Sequence, residues 1–273
     1  MYVAITQNIV NILASLTLVY GFGMKIEGVA IGTLVAQYAG LLMAAGLWTS
    51  HFKRLLTEVH LHSLLAKGAI RRFFQVNRDI FLRTLCLVAV TMYFTSAGAA
   101  QGEVVLAVNT LLMHFFTFFS YIMDGFAYAG EALAGKHIGA NNRLALQQMI
   151  RQLFIWGIVL ALAATLIYGI GGKEFLSLIT NEQSVIAASS TYFHWVLAIP
   201  LAGFAAFLYD GIFIGATATG LMLRAMFVAS VAFFGIYFGC RGVMGNHALW
   251  LAFITYLALR GIVQGFLGRK ILN

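Results

Sequence analysis

Long, nearly uninterrupted runs of apolar residues dominate this 273-residue sequence. Eight of the runs reach the roughly 20 residues that a helix needs to cross the hydrocarbon core of a bilayer. They lie near 2–20, 28–50, 80–98, 104–134, 148–170, 185–214, 217–239 and 247–268. Because apolar residues are continuous rather than alternating, the runs predict transmembrane helices and not the strands of a membrane β-barrel.

The composition supports a membrane protein and excludes a soluble one. Only 10% of residues are charged and 61% are hydrophobic, whereas a soluble domain carries about 25% charged residues. The sequence therefore predicts an all-α polytopic membrane protein without a soluble domain. Cys86 and Cys240 lie in different apolar runs, so neither a disulfide framework nor a metal spacing is present. No cofactor and no metal are expected.

The distribution of basic residues predicts the orientation. The net charge of +8 is interpreted as the excess of Lys and Arg in cytoplasmic loops, and not as a sign of nucleic-acid binding. One side of the predicted bilayer carries Lys53, Arg54, Lys67, Arg71, Arg72, Arg78, Lys136, Arg143, Arg224, Arg269 and Lys270, and the other only Lys25, Lys173 and Arg241. The sequence thus predicts a multi-pass protein of the cell (inner) membrane with both termini in the cytoplasm.

A faint internal repeat suggests how the spans are grouped. The segment 28–38 can be laid over 246–256, an offset of 218 residues, with Ala30 on Ala248 and Tyr38 on Tyr256. Secondary transporters are commonly built from two such halves. The match would make spans one and two equivalent to spans seven and eight, and spans three to six would then have their partners before Met1.

The repeat and the loops predict three regions. Residues 1–50 would be the last two helices of an amino-terminal lobe, and 80–273 a complete carboxy-terminal lobe of six helices. The connecting stretch 51–79 mixes basic residues with apolar ones at helical spacing. It is either an amphipathic helix lying on the cytoplasmic leaflet or a solvated connector.

Five phrases of the sequence carry a family resemblance. They are Asn77-Arg-Asp-Ile-Phe-Leu-Arg83, Met123-Asp-Gly-Phe-Ala-Tyr-Ala-Gly-Glu131, Gly135-Lys-His-Ile-Gly-Ala-Asn-Asn142, Tyr209-Asp-Gly-Ile-Phe-Ile-Gly-Ala-Thr217 and Gly245-Asn-His-Ala-Leu-Trp250. Together, and in this order, they resemble the multidrug and toxic compound extrusion (MATE) family in its DinF-like branch. The resemblance covers essentially the whole chain, as the fifth to twelfth helices of that family.

The resemblance implies a twelve-helix antiporter that expels drugs or organic cations in exchange for protons or sodium ions. It also implies a cation site in the amino-terminal lobe, built partly from an Asn, an Asp one turn later and a Thr on the next helix. Asn11 and Thr33 match the Asn and the Thr, but Ser15 stands where the Asp is expected. We therefore expect only remnants of that site here.

Ionisable residues inside spans are costly in lipid and point to function. Arg83 and Glu131 each lie five residues from a basic residue at the cytoplasmic edge, which places both about 7 Å deep. Their equal depth predicts an ion pair between them. Asp210 and Arg260 lie within about two turns of the cytoplasmic ends of their spans and are predicted to form a second pair or a gate.

Asp124 is the main candidate for a transport role. It lies twelve residues from Lys136, or about 18 Å, which is near the midplane, and no basic residue is expected at that depth. A carboxyl group there can take up a proton on one side of the membrane and release it on the other. A hydrogen-bonded structural carboxyl is the alternative.

Other polar residues within the spans are weaker candidates. Asn109, His114 and His194 could line the pathway, although single polar residues in membranes more often join helices by hydrogen bonds. Pro200 interrupts the sixth span and removes a backbone donor, so a kink is expected and a gating hinge is a hypothesis.

Two other functions compete with an exporter. A lipid-linked sugar flippase would need a basic central cavity, whereas the basic residues here lie at the cytoplasmic edge. A membrane-embedded enzyme would need a catalytic motif, and neither HExxH nor GxSxG occurs. The lipid bilayer and a small molecule are therefore the expected partners.

Expressed alone, the 273-residue chain should confer little or no drug resistance. Half of the central cleft expected for the family lies outside it, and Ser15 replaces the acid expected beside Asn11. The measurement is efflux of an organic-cation dye from vesicles containing the purified chain. Robust efflux would show that an inactive fragment is the wrong interpretation.

Overall fold

Helices account for the whole regular structure of the described residues. The computed structural model describes residues 2–51, 67–180 and 182–272. Within these ranges, eight helices are long and apolar enough to cross a membrane, as the sequence predicts. They are α1 (Tyr2–Leu16), α2 (Ile26–His51), α3 (Lys67–Ala99), α4 (Glu103–Gly139), α5 (Arg143–Ile179), α6 (Gln183–Gly215), α7 (Thr219–Met244) and α8 (Asn246–Leu272), with a π-helical turn, Thr17–Gly21, extending α1.

The third helix begins earlier than the apolar run predicts. Helix α3 starts at Lys67 rather than near residue 80, and its membrane-spanning part begins at Ile70. The hydropathy pattern follows only the part of a helix that lies in lipid, while backbone hydrogen bonding continues through the polar residues before it. The predicted amphipathic stretch within 51–79 falls partly on residues 52–66, outside the described residues.

The chain divides into two compact units, Met1–Ile70 and Arg71–Asn273. In the first unit, small residues let α1 and α2 approach closely. Gly28, Gly32, Ala36 and Gly40 form the buried stripe of α2, and a methyl group on Gly32 would lie 2.9 Å from the backbone nitrogen of Ser15. Helix–helix packing in membranes depends on such small residues.

Helix α6 is the central helix of the second unit. It packs against α4, α5 and α8, and α8 packs in turn against α7. Its fully buried side chains include Val196, Ile199, Ala206 and Phe213. Pro200 is buried inside α6, which runs unbroken from Gln183 to Gly215. A hinge at Pro200 stays a prediction.

The backbones of α4 and α6 touch at two successive turns. A methyl group on Gly211 would clash with the Ala127 carbonyl oxygen and lie 2.7 Å from its carbon. One turn later, a methyl group on Gly215 would clash with the Glu131 carbonyl in the same way. Among the glycines of the second unit that the structure describes, Gly211 and Gly215 make the closest contacts with the backbone of another helix.

Gly211→Ala should destabilise the protein, because the added methyl group meets backbone that cannot move aside. Overpacking typically costs about 1–3 kcal/mol, so the thermal unfolding midpoint in detergent should fall. Gly235→Ala in α7 is the matched control, since no atom lies within 4 Å of its added methyl group. Equal midpoints for the two variants would contradict the close contact between α4 and α6.

Candidate functional site

A buried cluster of charges joins three helices of the second unit. Asp210 of α6 accepts hydrogen bonds at Oδ2 from Arg83 Nη2 of α3 and, at 2.6 Å, from Arg260 Nη2 of α8. Its other oxygen, Oδ1, accepts from Gln264 Nε2 at 2.6 Å. Asp210 and Arg260 are 6% and 3% exposed, so the charges of this pair are removed from both water and lipid.

Aromatic rings complete the surroundings of Arg260. Its guanidinium carbon lies 5.4 Å from the ring centroid of Phe207 and 6.0 Å from that of Tyr256. Such cation–π contacts favour a cation that is held away from water. Among the described residues, Arg83 Nε, Arg260 Nε and Gln264 Oε1 have no hydrogen-bond partner. The cluster therefore contains two buried donors and one buried acceptor that are not hydrogen-bonded.

Of the two predicted ion pairs, the structure contains the one between Asp210 and Arg260 but not the one between Arg83 and Glu131. Arg83 binds Asp210 and not Glu131, and Glu131 forms no ion pair among the described residues. Depth along a helix does not reveal which way a side chain points around it, and α3 directs Arg83 toward α6. Asp210 and Arg260 do contact each other, as predicted. Whether they act as a gate stays a prediction.

Asp124 lies next to this cluster without joining it. Its side chain is half-buried, and it forms no hydrogen bond or ion pair with any described residue. It lies three residues before Ala127 on α4, whose carbonyl meets Gly211, the residue that follows Asp210. Whether a basic residue shares the depth of Asp124 in the membrane stays a prediction.

Asn109 joins two helices by hydrogen bonds. Its amide exchanges two hydrogen bonds with the Asn246 amide, at 2.8 and 2.9 Å, and its oxygen also accepts from Trp250 Nε1 at 2.9 Å. All three side chains are buried. Asn109 is fifteen residues from Asp124 on α4, or about 22 Å. This geometry supports the helix-joining interpretation of Asn109.

The two predicted histidines lie away from the charge cluster. His114 is exposed on a groove of about 630 Å³ that Glu103, Thr110 and Glu182 also line. His194 stacks on His247 with ring centroids 5.8 Å apart, and Trp195 Nε1 donates to His247 Nδ1 at 3.1 Å. A role of either histidine in the pathway stays a prediction.

The remnants of the amino-terminal cation site are all in the first unit. Ser15 Oγ donates to Asn11 Oδ1 at 3.1 Å, one turn back on α1. Thr33 Oγ1 donates to the carbonyl of Val29 in its own helix at 2.9 Å. These hydroxyls bond within their own helices, as Ser and Thr commonly do. Ion binding by Asn11, Ser15 and Thr33 stays a prediction.

Sequence reasoning missed Asp79, which it assigned to a linker. The side chain is 3% exposed. Its Oδ2 accepts from Thr219 Oγ1 at 3.3 Å, at the first residue of α7, and its Oδ1 accepts from Arg78 at 3.0 Å. A carboxylate at a helix amino terminus is favoured by the helix dipole. Its position in the phrase Asn77-Arg-Asp was the only available signal.

Comparison with known proteins agrees with the fold. The MatE family model matches residues 80–239. DNA damage-inducible protein F of Escherichia coli (strain K12) is 34% identical over 266 residues, which cover 97% of this chain and 58% of that protein. Protein DETOXIFICATION 42 of Arabidopsis thaliana is 21% identical over 96% of this chain and 50% of its own length. The chain thus spans just over half the length of these relatives.

Solved structures show the same fold. A structure of MATE in the straight conformation superposes with a TM-score of 0.82 and 17% identity, over 99% of this chain and 62% of the other. A structure of the outward-facing conformation of a multidrug resistance MATE family transporter superposes with a TM-score of 0.81 and 16% identity, over 99% and 61%.

With eight helices of membrane-spanning length among the described residues, the fold is that of a multi-pass helical membrane protein. The chain belongs to the MatE family of multidrug and toxic compound extrusion transporters, and within it to the DinF-like branch.

Asp210→Asn should be much more destabilising than Arg83→Gln. The asparagine leaves the fully buried Arg260 without a charged partner. Breaking a buried ion pair in this way costs about 3–5 kcal/mol. Removing Arg83 still leaves a neutral pair of Asp210 and Arg260. The thermal unfolding midpoints of the two variants in detergent are compared to test this order.

A double variant distinguishes the loss of charge pairing from the loss of packing as the cause of the instability of Asp210→Asn. Asp210→Asn combined with Arg260→Met should recover part of the unfolding midpoint lost in Asp210→Asn alone, because the fully buried charge of Arg260 is removed and only the partly exposed Arg83 is left without its carboxylate. A double variant as unstable as Asp210→Asn would indicate that packing, and not charge pairing, makes Asp210 necessary.

Proposed function

We propose that this chain is the carboxy-terminal part of a secondary-active antiporter, which exports drugs or organic cations in exchange for protons or sodium ions. The observation that carries the proposal is the half-buried Asp124 carboxyl beside the closed cluster of Asp210, Arg83 and Arg260. Family membership supports the transport class. The proposed location is the cell (inner) membrane, with both termini in the cytoplasm.

The charges of this region suggest how exchange would occur. Arg83 and Arg260 contribute +2 and Asp210 contributes −1, so the cluster alone carries +1. An ionised Asp124 brings the sum to zero and offers a free carboxylate to a cation. A neutralised Asp124 leaves a net positive charge that repels an organic cation. A proton or sodium ion and the exported cation would therefore displace each other.

Helix packing offers a route from this exchange to a change in conformation. Asp124 lies three residues before Ala127 on α4, and Asp210 directly precedes Gly211 on α6, where these two backbones touch. A change in the charge of Asp124 or Asp210 would therefore occur next to the closest contact between α4 and α6. Ligands that prefer different arrangements of such a contact shift the population between them, which is what alternating access requires.

A lipid-linked sugar flippase is the alternative, and this geometry supports it less. Binding a pyrophosphate group would require arginines that are free to bind its oxygens. In this cluster both arginines are engaged by the same carboxylate of Asp210. The third possibility, an inactive fragment, is addressed by efflux from vesicles containing the chain alone.

Asp124→Asn should abolish ion-driven efflux while leaving the protein folded. The chain is placed in the full-length E. coli relative in exchange for the matching segment, so that the remaining helices are supplied. Vesicles containing this hybrid are given an imposed pH gradient or, separately, a sodium gradient, and efflux of an organic-cation dye is followed. An asparagine can neither release a proton nor attract a cation, so efflux should fall to that of empty vesicles.

Glu174→Gln is the matched control, because it removes one exposed carboxylate of α5 that lies outside the cluster. It should keep the efflux rate of the unmodified hybrid. Unchanged gradient-driven efflux in a well-folded Asp124→Asn hybrid would remove Asp124 from the mechanism. Loss of folding in Asp124→Asn, measured by thermal unfolding, would instead indicate a structural carboxyl.

A further inference from the structure

An apolar groove runs between α3 and α7 on the outside of the second unit. Its volume is about 650 Å³. The lining residues are Leu82, Leu85 and Cys86 of α3, with Leu223, Arg224, Phe227 and Val228 of α7. All of them belong to membrane-spanning segments.

The walls of this groove face outward from the helical bundle. Leu85 and Phe227 are 49% and 60% exposed, although both are apolar and lie in transmembrane helices. In a bilayer such a surface is in contact with lipid chains. A concave apolar surface at this place offers room for an acyl chain to lie between the two helices.

Arg224 gives the groove a charged end. It lies five residues after the start of α7 at Thr219, or about 7 Å along the helix. It is exposed and forms no ion pair or hydrogen bond with any described residue. Phe227 and Val228 lie about one turn deeper on the same helix. The groove thus has a free guanidinium near its mouth and apolar walls beyond it.

This arrangement matches a phospholipid in shape and in charge. Arginine binds phosphate oxygens through its planar set of N–H donors. The basic residues of the chain predict that this end of α7 faces the cytoplasm, where the leaflet carries anionic lipids. We propose that Arg224 binds the phosphate of one anionic phospholipid of the cytoplasmic leaflet, with an acyl chain lying along the groove between α3 and α7.

A bound lipid would connect α3, which contributes Arg83 to the charge cluster, with α7, which packs against another helix of the cluster. Leu82 of the groove directly precedes Arg83, which binds Asp210, and α7 packs against α8, which carries Arg260. The lipid would therefore stabilise α3 at the position from which Arg83 reaches Asp210. This role does not depend on which ion or substrate the protein transports.

Native mass spectrometry of the complete, detergent-purified chain tests the proposal. Dioleoyl phosphatidylglycerol is titrated, with dioleoyl phosphatidylcholine as the zwitterionic comparison and sn-glycerol 1-phosphate as a competitor without acyl chains. Arg224→Gln should weaken phosphatidylglycerol binding about tenfold, which is the usual order for losing a charged hydrogen bond. Arg241→Gln, near the other end of α7, is the matched control and should bind as the unmodified chain does.

A second variant tests the acyl chain. Leu85→Trp fills the groove and should weaken phosphatidylglycerol binding by a similar factor, whereas Leu166→Trp, which places the same bulk on an exposed site of α5, should not. Thermal unfolding and size-exclusion chromatography verify that each variant is folded. These two variants leave Asp124 and the charge cluster unchanged, so their outcome is independent of the proposed antiport.

Three outcomes would overturn the proposal. Equal binding by Arg224→Gln and Arg241→Gln would exclude Arg224 as the phosphate ligand. Displacement of the lipid by glycerol phosphate, without any effect of Leu85→Trp, would indicate a site for free anions. Equal affinity for phosphatidylcholine and phosphatidylglycerol would indicate an apolar groove without preference for anionic lipid.

Discussion

The second unit depends on the need to pair a charge that lies in a low-dielectric interior. An isolated ionised carboxylate inside a membrane-spanning bundle would cost many kcal/mol, and so would an isolated guanidinium. Asp210 and Arg260 remove this cost for each other, and Arg83 and Gln264 each donate a further hydrogen bond to the carboxylate. Because these partners come from α3, α6 and α8, the position of each helix is restricted by the other two.

Close backbone contact adds a restriction of a different kind. Gly211 and Gly215 allow α6 to lie directly against the carbonyl groups of Ala127 and Glu131 on α4. Side chains at these positions would hold the helices apart and would move Asp124 away from Asp210. Small residues and charged residues thus act together: the glycines determine how near the helices come, and the charges determine which faces meet.

The sequence was sufficient for the number and order of the membrane-spanning helices found among the described residues, because an apolar run of membrane length has few alternatives. It also predicted the contact of Asp210 with Arg260. It failed where direction around a helix matters: Arg83 points to Asp210 instead of Glu131, and Asp79, which was assigned to the linker, is buried at the start of α7. Charge and hydropathy report depth along a span, whereas side-chain partners depend on helix rotation and tilt.

Helix α8 is held at two distant points by two kinds of chemistry. Asn246 is bound to Asn109 by a pair of neutral amide hydrogen bonds, and Arg260 is bound to Asp210 by an ion pair. The two residues are fourteen positions apart, or about 21 Å. Only the second attachment depends on charge, because the two amides are neutral. Loss of the charge on Asp210 would therefore release α8 at Arg260 while its first residue, Asn246, stays bound to α4.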